Sequence, residues 1–386
     1  MPPITWPYAG LTVVNASRGL PGATAAQLLA GLGARVIRVE ETAAGEQSPS
    51  RDPLHGWDGD GDLFAHFGRG SESVQLDLAR PDGLQALTRL ASGASVVIED
   101  ERPSDDRGVR AAIRTARDSG ASFSLATITP FGLTGPWMDF PSSSLITFAM
   151  SGLMSYVGEP DREPVQFPAW LVQTHVGLAA FTAIASSIPV DGSAVASHDI
   201  DIAELDVIAN SNPHAISEHS YTGGIGRRAG SRFLDGYPWT VLPCKDGFIG
   251  VIVPQTGWDV FALWIDRPDL IDDPRFVDRF ARRQHPDEFD EIFTAWSMQF
   301  TKDELYRDGQ ARHLPFGAVY TAADSLASEQ LADRKFFDTV QGTMFAGLPF
   351  LFNGERPTVR PAPAQGEHTE VIASEFHLTA TGQGAS

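Results

Sequence analysis

His175 lies in Val172-Gln-Thr-His-Val-Gly-Leu178, near the start of a long apolar segment. An imidazole among apolar residues can act as a general base, orient a water or hold a carboxylate. The competing reading is a core histidine bonded to a backbone carbonyl. Other reactive side chains are less well arranged. His198, Asp199 and Asp201 are of metal-ligating type, but alternation along a strand sends neighbours to opposite faces, so no metal is expected. His214 and His219 lack a third ligand. Ser142-Ser143-Ser144 has no G-x-S-x-G context, which leaves a hydrolase triad unsupported. Cys244, the single cysteine, sits in Leu242-Pro-Cys-Lys-Asp-Gly247 and reads as a structural thiol at a turn between strands. It cannot form an internal disulfide, which fits a reducing, cytoplasmic setting.

These residues need a scaffold, and the pattern supplies one. Residues 11–14 form a short apolar run that reads as a buried strand. Gly19-Leu-Pro-Gly22 breaks the chain. Residues 23–32 carry Ala and Leu at helical spacing and end at Gly33, a natural helix stop. Arg35 to Glu40 reads as the next strand. Helices over 84–91 and 109–119 alternate with strands over 95–99 and 122–128. That alternation predicts an open, mostly parallel α/β sheet with right-handed crossovers. Residues 41–62, anchored only by Trp57, read as a long surface loop. Segments 145–157 and 171–188 read as helices packed in the core. Asp199 begins a strand that passes into a helix. Strands near 239–242 and 248–253, followed by helices near 256–266, 286–298 and 301–311, suggest a smaller α/β domain over 225–325. The expected division is a large domain of residues 1–220, completed by 326–386, around that insert. The tail from Pro357 onward is poor in periodicity.

The chain has 386 residues, 42% of them hydrophobic, and a formal net charge of −20. That charge repels nucleic acid and anionic membranes, so neither is expected as a partner. No apolar run reaches the roughly 18 residues of a membrane span. The first residues have neither a basic nor an apolar signal region.

A glycine turn between a strand and a helix invites a dinucleotide-site reading, with Glu40 ending the second strand. The fingerprint requires G-x-G-x-x-G. Gly19 and Gly22 are not joined by a third glycine at the right offset. Pro21 also removes an amide that would face a pyrophosphate. A tight turn feeding a helix is the better account.

Five stretches together carry a resemblance. They are Gln27-Leu-Leu-Ala-Gly-Leu-Gly-Ala-Arg-Val-Ile-Arg-Val-Glu40, Ser73-Val-Gln-Leu-Asp-Leu78, Phe131-Gly-Leu-Thr-Gly-Pro136, Met150-Ser-Gly-Leu-Met154 and Gly158-Glu-Pro-Asp161. The chain resembles the family III CoA-transferases, the CaiB/BaiF or formyl-CoA transferase group. The resemblance implies a Rossmann-like large domain built from both chain ends, a smaller α/β domain between, and an interlocked dimer. It implies acyl-CoA and carboxylic acid substrates. In the family a carboxylate attacks the thioester and forms a mixed anhydride. The released CoA thiolate returns to make an enzyme–CoA thioester, which the acceptor acid collects.

The family's aspartate opens a helix shortly after the Gly-Glu-Pro turn, and the matching position here is Gln173. No Asp or Glu occurs between Gln166 and Ser187 to replace it. Related 2-methylacyl-CoA racemases pair that aspartate with a histidine, where this chain has Pro141-Ser-Ser-Ser-Leu145. Gln173 and His175 are therefore the residues expected at the catalytic position. The family's basic pair before the Val-x-Leu-Asp-Leu strand is Ser71-Glu72 here, and Glu41 follows the strand ending in Glu40. Arg18, Arg38, Arg69 and Arg102 remain as the cations that the resemblance offers to CoA phosphates. Members lacking the aspartate resemble the partner subunit of two-gene transferases. The implied partner is thus a second copy, or a paralogue bearing the aspartate.

Overall fold

The computed structural model describes residues 6–41, 63–105, 107–189, 193–233 and 236–378. The expected surface loop with Trp57 lies, beyond Glu41, outside these residues. The chain divides into two compact units. One comprises Met1–Met154, Gln166–Thr222 and Asp333–Ser386, the other Ser155–Val165 and Gly223–Ala332. The short excursion of 155–165 into the second unit departs from the expected division, which kept residues 1–220 together.

The large unit contains β1 (Thr12–Asn15), α1 (Leu20–Gly31), β2 (Arg35–Glu41), α2 (Leu63–Phe67), β3 (Ser71–Leu76), α3 (Pro81–Ser92), β4 (Val96–Glu99), α4 (Val109–Asp118) and β5 (Ser124–Thr129). It continues with α5 (Ser144–Met150), α6 (Ala169–Ser186), β6 (Asp199–Ala203), α7 (Glu204–Asn210) and α8 (Pro213–Thr222). The six strands pair in parallel in the order β3-β2-β1-β4-β5-β6. This is the expected open parallel sheet. Its strand order reverses between β1 and β4, and in such sheets the ligand crevice lies there, at the carboxyl ends of the strands.

Local sequence explains the first unit of the sheet. Val13 and Val14 are fully buried, as a strand covered on both faces requires. Pro21 sits in the first turn of α1, where no N–H is needed. Gly22 is demanded by space, because a β-carbon there would lie 1.9 Å from Ser17 Oγ. Gly33, at φ +99°, then turns the chain from α1 into β2.

The expectation for α5 and α6 needs correction. Both form, but they are not packed in the core all round. Only 28% of α6 is buried in this chain, although its length and composition would suffice to cross a membrane. Trp170, Leu171 and Leu178 stand exposed on α6, as do Leu145, Ile146 and Met150 on α5. Apolar composition reports what must be covered, not what covers it.

The small unit is built on an antiparallel sheet of β7 (Trp239–Cys244), β8 (Gly247–Ile252) and β9 (Gly317–Ala318). Cys244 pairs with Gly247 across a two-residue turn and is buried. Burial pushes its thiol pKa up, which makes it inert. Around the sheet lie α9 (Trp258–Trp264), α10 (Arg279–Arg282), α11 (Pro286–Ser297), α12 (Lys302–Ala311), α13 (Ala322–Leu326) and α14 (Glu329–Asp333). Trp258, Phe261, Phe289, Phe293 and Phe316 fill its core.

The C-terminal stretch returns to the large unit as the hairpin β10 (Phe337–Val340) and β11 (Thr343–Ala346), followed by α15 (Thr369–Glu375). The tail thus carries a helix that weak periodicity concealed. It covers the β3 edge: His368 N donates to Ser73 O at 3.0 Å, and Gln75 N donates to Thr369 Oγ1 at 3.1 Å.

Candidate functional site at the carboxyl ends of the strands

The loop after β1 is held from within. Asn15 Oδ1 accepts from Ser17 N at 3.0 Å and from Ser17 Oγ at 2.6 Å. Asp100, just beyond β4, reaches across the reversal point. Its Oδ2 accepts from Arg18 N at 2.7 Å and Gly19 N at 2.9 Å. The amides that lead into the glycine turn, Arg18 N and Gly19 N, are therefore occupied by a carboxylate of the same chain. Arg18 points its guanidinium at Glu41, the last residue of β2, with Nε 3.1 Å from Oε1. Arg107 joins from the other side, 2.5 Å from Glu41 Oε1 and 3.1 Å from Asp100 Oδ1. Burial works against the Arg107 charge. The carboxylates of Asp100, Glu41 and Glu101 outweigh it and raise its pKa above the ordinary arginine value.

Gln173 and His175 both lie on α6, which crosses the face of α1. Gly177 marks the contact: a β-carbon there would be 2.5 Å from Thr24 Cβ and 2.7 Å from Pro21 O. Further along, Phe181 meets Tyr8, which precedes β1. The helix therefore runs from the carboxyl end of the sheet toward its amino end. Gln173, one turn before Gly177 on the same stripe, is on the carboxyl side, beyond the first turn of α1. It is half-buried.

His175 faces elsewhere. Residues two apart on a helix do not share a face. Its ring Nε2 is 2.8 Å from Ser211 Oγ, at the end of α7. Ser211 Oγ also donates to Val207 O at 3.1 Å. A hydroxyl has one proton to give, so when Ser211 donates to Val207 it accepts from His175 Nε2–H. The residue is exposed and bonded to a hydroxyl, not a core histidine on a backbone carbonyl.

The four arginines divide. Arg38 and Arg69 come together, lining one small cleft with Asn15, Gln27, Gly68 and Ser71. Arg38 lies over the Phe64 ring, 5.4 Å from its centroid. Arg69, 1% exposed, pairs with Asp338 at 2.6 Å and lies 5.4 Å from the Phe345 centroid. It therefore also clamps the C-terminal hairpin. Its Nε has no hydrogen-bond partner among the described residues. His66, next in sequence to the cleft residue Phe67, has its pKa lowered to about 4 by burial and by the Arg69 charge. Arg18 stands in the Glu41 cluster described above. Arg102 is held by Asp105 at 2.7 Å and donates to Asp139 O at 3.3 Å.

Sequence reading passed over the charges that surround the crevice. Glu99, fully buried at the end of β4, accepts from Thr127 Oγ1 at 2.5 Å and from Arg110 Nη2 at 3.0 Å. Burial raises its pKa against those partners. Glu204 opens α7 directly after β6. Burial raises its pKa, a hydrogen bond from Thr147 Oγ1 at 3.4 Å opposes this, and the Asp100 charge adds to the rise. The available signal was density: Glu99, Asp100, Glu101, Arg102, Asp105 and Arg107 follow one apolar strand. The suspected metal ligands have structural partners. Asp199 pairs with Arg117, and Asp201 accepts from Leu133 N at 3.0 Å. No group of three or more metal-ligating side chains occurs among the described residues.

The profile of CoA-transferase family III matches residues 8–369. The chain is 28% identical to succinate–glutarate CoA-transferase of Agrobacterium fabrum over 387 residues, covering 96% of each. It is 28% identical to succinyl-CoA:(R)-benzylsuccinate CoA-transferase subunit BbsE of Thauera aromatica, covering 92% of this chain and 90% of that one. The crystal structure of a CAIB/BAIF family protein from Brucella suis superposes with a TM-score of 0.83 at 25% identity, covering 97% of this chain and all of that one. With a profile spanning nearly its whole length and that fold beneath it, the chain belongs to CoA-transferase family III.

Proposed function

We propose that this chain takes part in CoA transfer between an acyl-CoA and a carboxylic acid, without itself supplying the carboxylate that forms the covalent intermediate. The observation that carries the reading is the seat of Gln173. It lies one turn before Gly177, whose contact with α1 seats the helix, and the family's sequence pattern has an aspartate at this position. A carboxamide has no ionisable oxygen, and its nitrogen lone pair is delocalised into the carbonyl. It cannot open a thioester as a carboxylate does.

The acyl-CoA would lie in the crevice where β1 and β4 diverge. Arg18, Arg38, Arg69 and Arg102 are the cations we assign to its phosphates. The donors in the names of similar proteins favour a dicarboxylic acyl group such as succinyl. The nucleophile would come from a second chain. Two observations favour such a partner: the largely uncovered apolar α6, and the likeness to a protein that is itself one subunit of a transferase. The partner that supplies it is an aspartate-bearing paralogue; an interlocked homodimer, the other assembly that the resemblance implies, would carry Gln173 in both copies and bring no such carboxylate. We place the assembly in the cytoplasm.

A second reading is a reaction without CoA in the same pocket. The neutralisation of Arg18 and Arg107 by Glu41 and Asp100 favours it. Calorimetric titration of the purified protein with CoA and succinyl-CoA separates the two. Micromolar binding supports the first reading. A well-folded protein that binds neither supports the second.

A further inference from the structure

The crevice already contains its own anions. Arg18 offers Nε and Nη2 to the two oxygens of Glu41, a fork-to-fork arrangement. Arg107 closes on Glu41 Oε1 at 2.5 Å while holding Asp100 Oδ1 at 3.1 Å, and its Nε lies 3.6 Å from Glu101 Oε1. Two cations thus face three carboxylates. A guanidinium fork binds two carboxylate oxygens and two phosphate oxygens in the same geometry. A phosphate-bearing ligand approaching the ends of β1, β2 and β4 therefore meets arginines already paired with carboxylates.

The carboxylates are not equally fixed. Asp100 is anchored by two backbone amides, Arg18 N and Gly19 N. It belongs to the turn. Glu41 approaches from the last position of β2 on a longer side chain. Its main fork partner, Arg18, has a half-exposed side chain, and the side chain of Glu41 itself is 20% exposed. A pair open to water on one side exchanges partners at small cost.

We infer that Glu41 is a built-in competitor for the anion site formed by Arg18 and Arg107, and that it sets the affinity of this crevice for phosphate-bearing ligands. A ligand carrying a pyrophosphate displaces Glu41 from both guanidinium groups and leaves Asp100 in place. Glu41 thereby selects against weakly held anions and makes binding conditional on the rest of the ligand. The inference deepens the CoA reading and rests on it for the identity of the natural ligand. The site itself is tested without CoA.

The experiment is calorimetric titration of the full chain with inorganic pyrophosphate and, separately, with CoA. Wild type, Glu41→Ala, Glu41→Gln and the double variant Glu41→Ala/Arg107→Ala are compared. Removing the competing charge should tighten pyrophosphate binding about tenfold in Glu41→Ala. A smaller gain is expected in Glu41→Gln, which keeps the volume and guards against a folding defect in the alanine variant. The double variant should lose the gain. A purely structural Glu41 would lower thermal stability without tightening anion binding. Pyrophosphate affinity unchanged in both single variants overturns the inference, whatever CoA does. A gain for pyrophosphate with no CoA binding by any variant upholds the site and counts against the CoA reading.

Discussion

Gly177 and Thr24 meet without room for a side chain between them, since a β-carbon on Gly177 would lie 2.5 Å from Thr24 Cβ. This contact seats α6 on α1. It also fixes the height of Gln173, one turn away, above the glycine turn.

The first prediction tests that seat. Replacing a helical glycine by alanine ordinarily stabilises by about 1 kcal/mol. Here the added carbon also meets Pro21 O at 2.7 Å, backbone that yields poorly. Gly177→Ala should therefore destabilise, by about 1–3 kcal/mol as over-packing does. Urea unfolding followed by circular dichroism measures it, and a gain in stability would mean that the helices are not seated this closely.

His175 should behave as a structural group. It faces Ser211 on α7 rather than the Gln173 stripe. His175→Ala should cost about 0.5–1.5 kcal/mol, the net worth of one hydrogen bond. CoA affinity and any transfer rate in the assembled enzyme should change less than tenfold. A general base in its place would cost about 100-fold or more in rate. Comparing the unfolding midpoint with the transfer rate of the same variant decides between the two.

The pH dependence of stability should carry a signature of His66. Its folded pKa is lowered from 6.5 to about 4, first by burial and then by Arg69. Between those values the unfolded chain binds the extra proton. Stability from this group is therefore fully present above pH 6.5 and is lost as pH falls toward 4. The loss is at most about 3 kcal/mol. Wild type should lose more stability than His66→Gln between pH 7 and 5. Equal slopes in the two proteins would show that the imidazole is not buried in this way.

Much of the scaffold was legible in the sequence because its signals are local. Short apolar strands, helices such as the one stopped by Gly33, and the alternation of the two are enough to give a parallel sheet. Gln173 is singled out only by the family pattern, since nothing in its own neighbourhood marks it. The charge cluster was legible only as a density of charge after β4, not as an assembly. Arg18, Glu41, Asp100 and Arg107 are brought together by three different strand ends, and no spacing announces that. The outer faces of α5 and α6 failed for a different reason. An apolar helix looks the same to sequence reading whether its own chain covers it or leaves it open, as at Leu171 and Leu178.

The uncovered face gives its own prediction. An apolar surface of this kind on a free chain favours association. Light scattering after gel filtration should show a dimer of the purified protein, alone or with its paralogue. Glu or Lys at Leu171 and Leu178 together should dissociate it. A monodisperse monomer at micromolar concentration, with no tendency to pair, would remove the basis for a partner-supplied nucleophile.

The central claim is that Gln173 occupies the nucleophile's place and cannot do its work. Intact-mass spectrometry of the chain after incubation with succinyl-CoA tests it most directly. Wild type should show no covalent CoA adduct. Gln173→Asp should show one, which hydroxylamine removes as it does any thioester. A hydroxylamine-sensitive CoA adduct on the wild-type chain, mapped to any carboxylate including Glu204, would contradict the account.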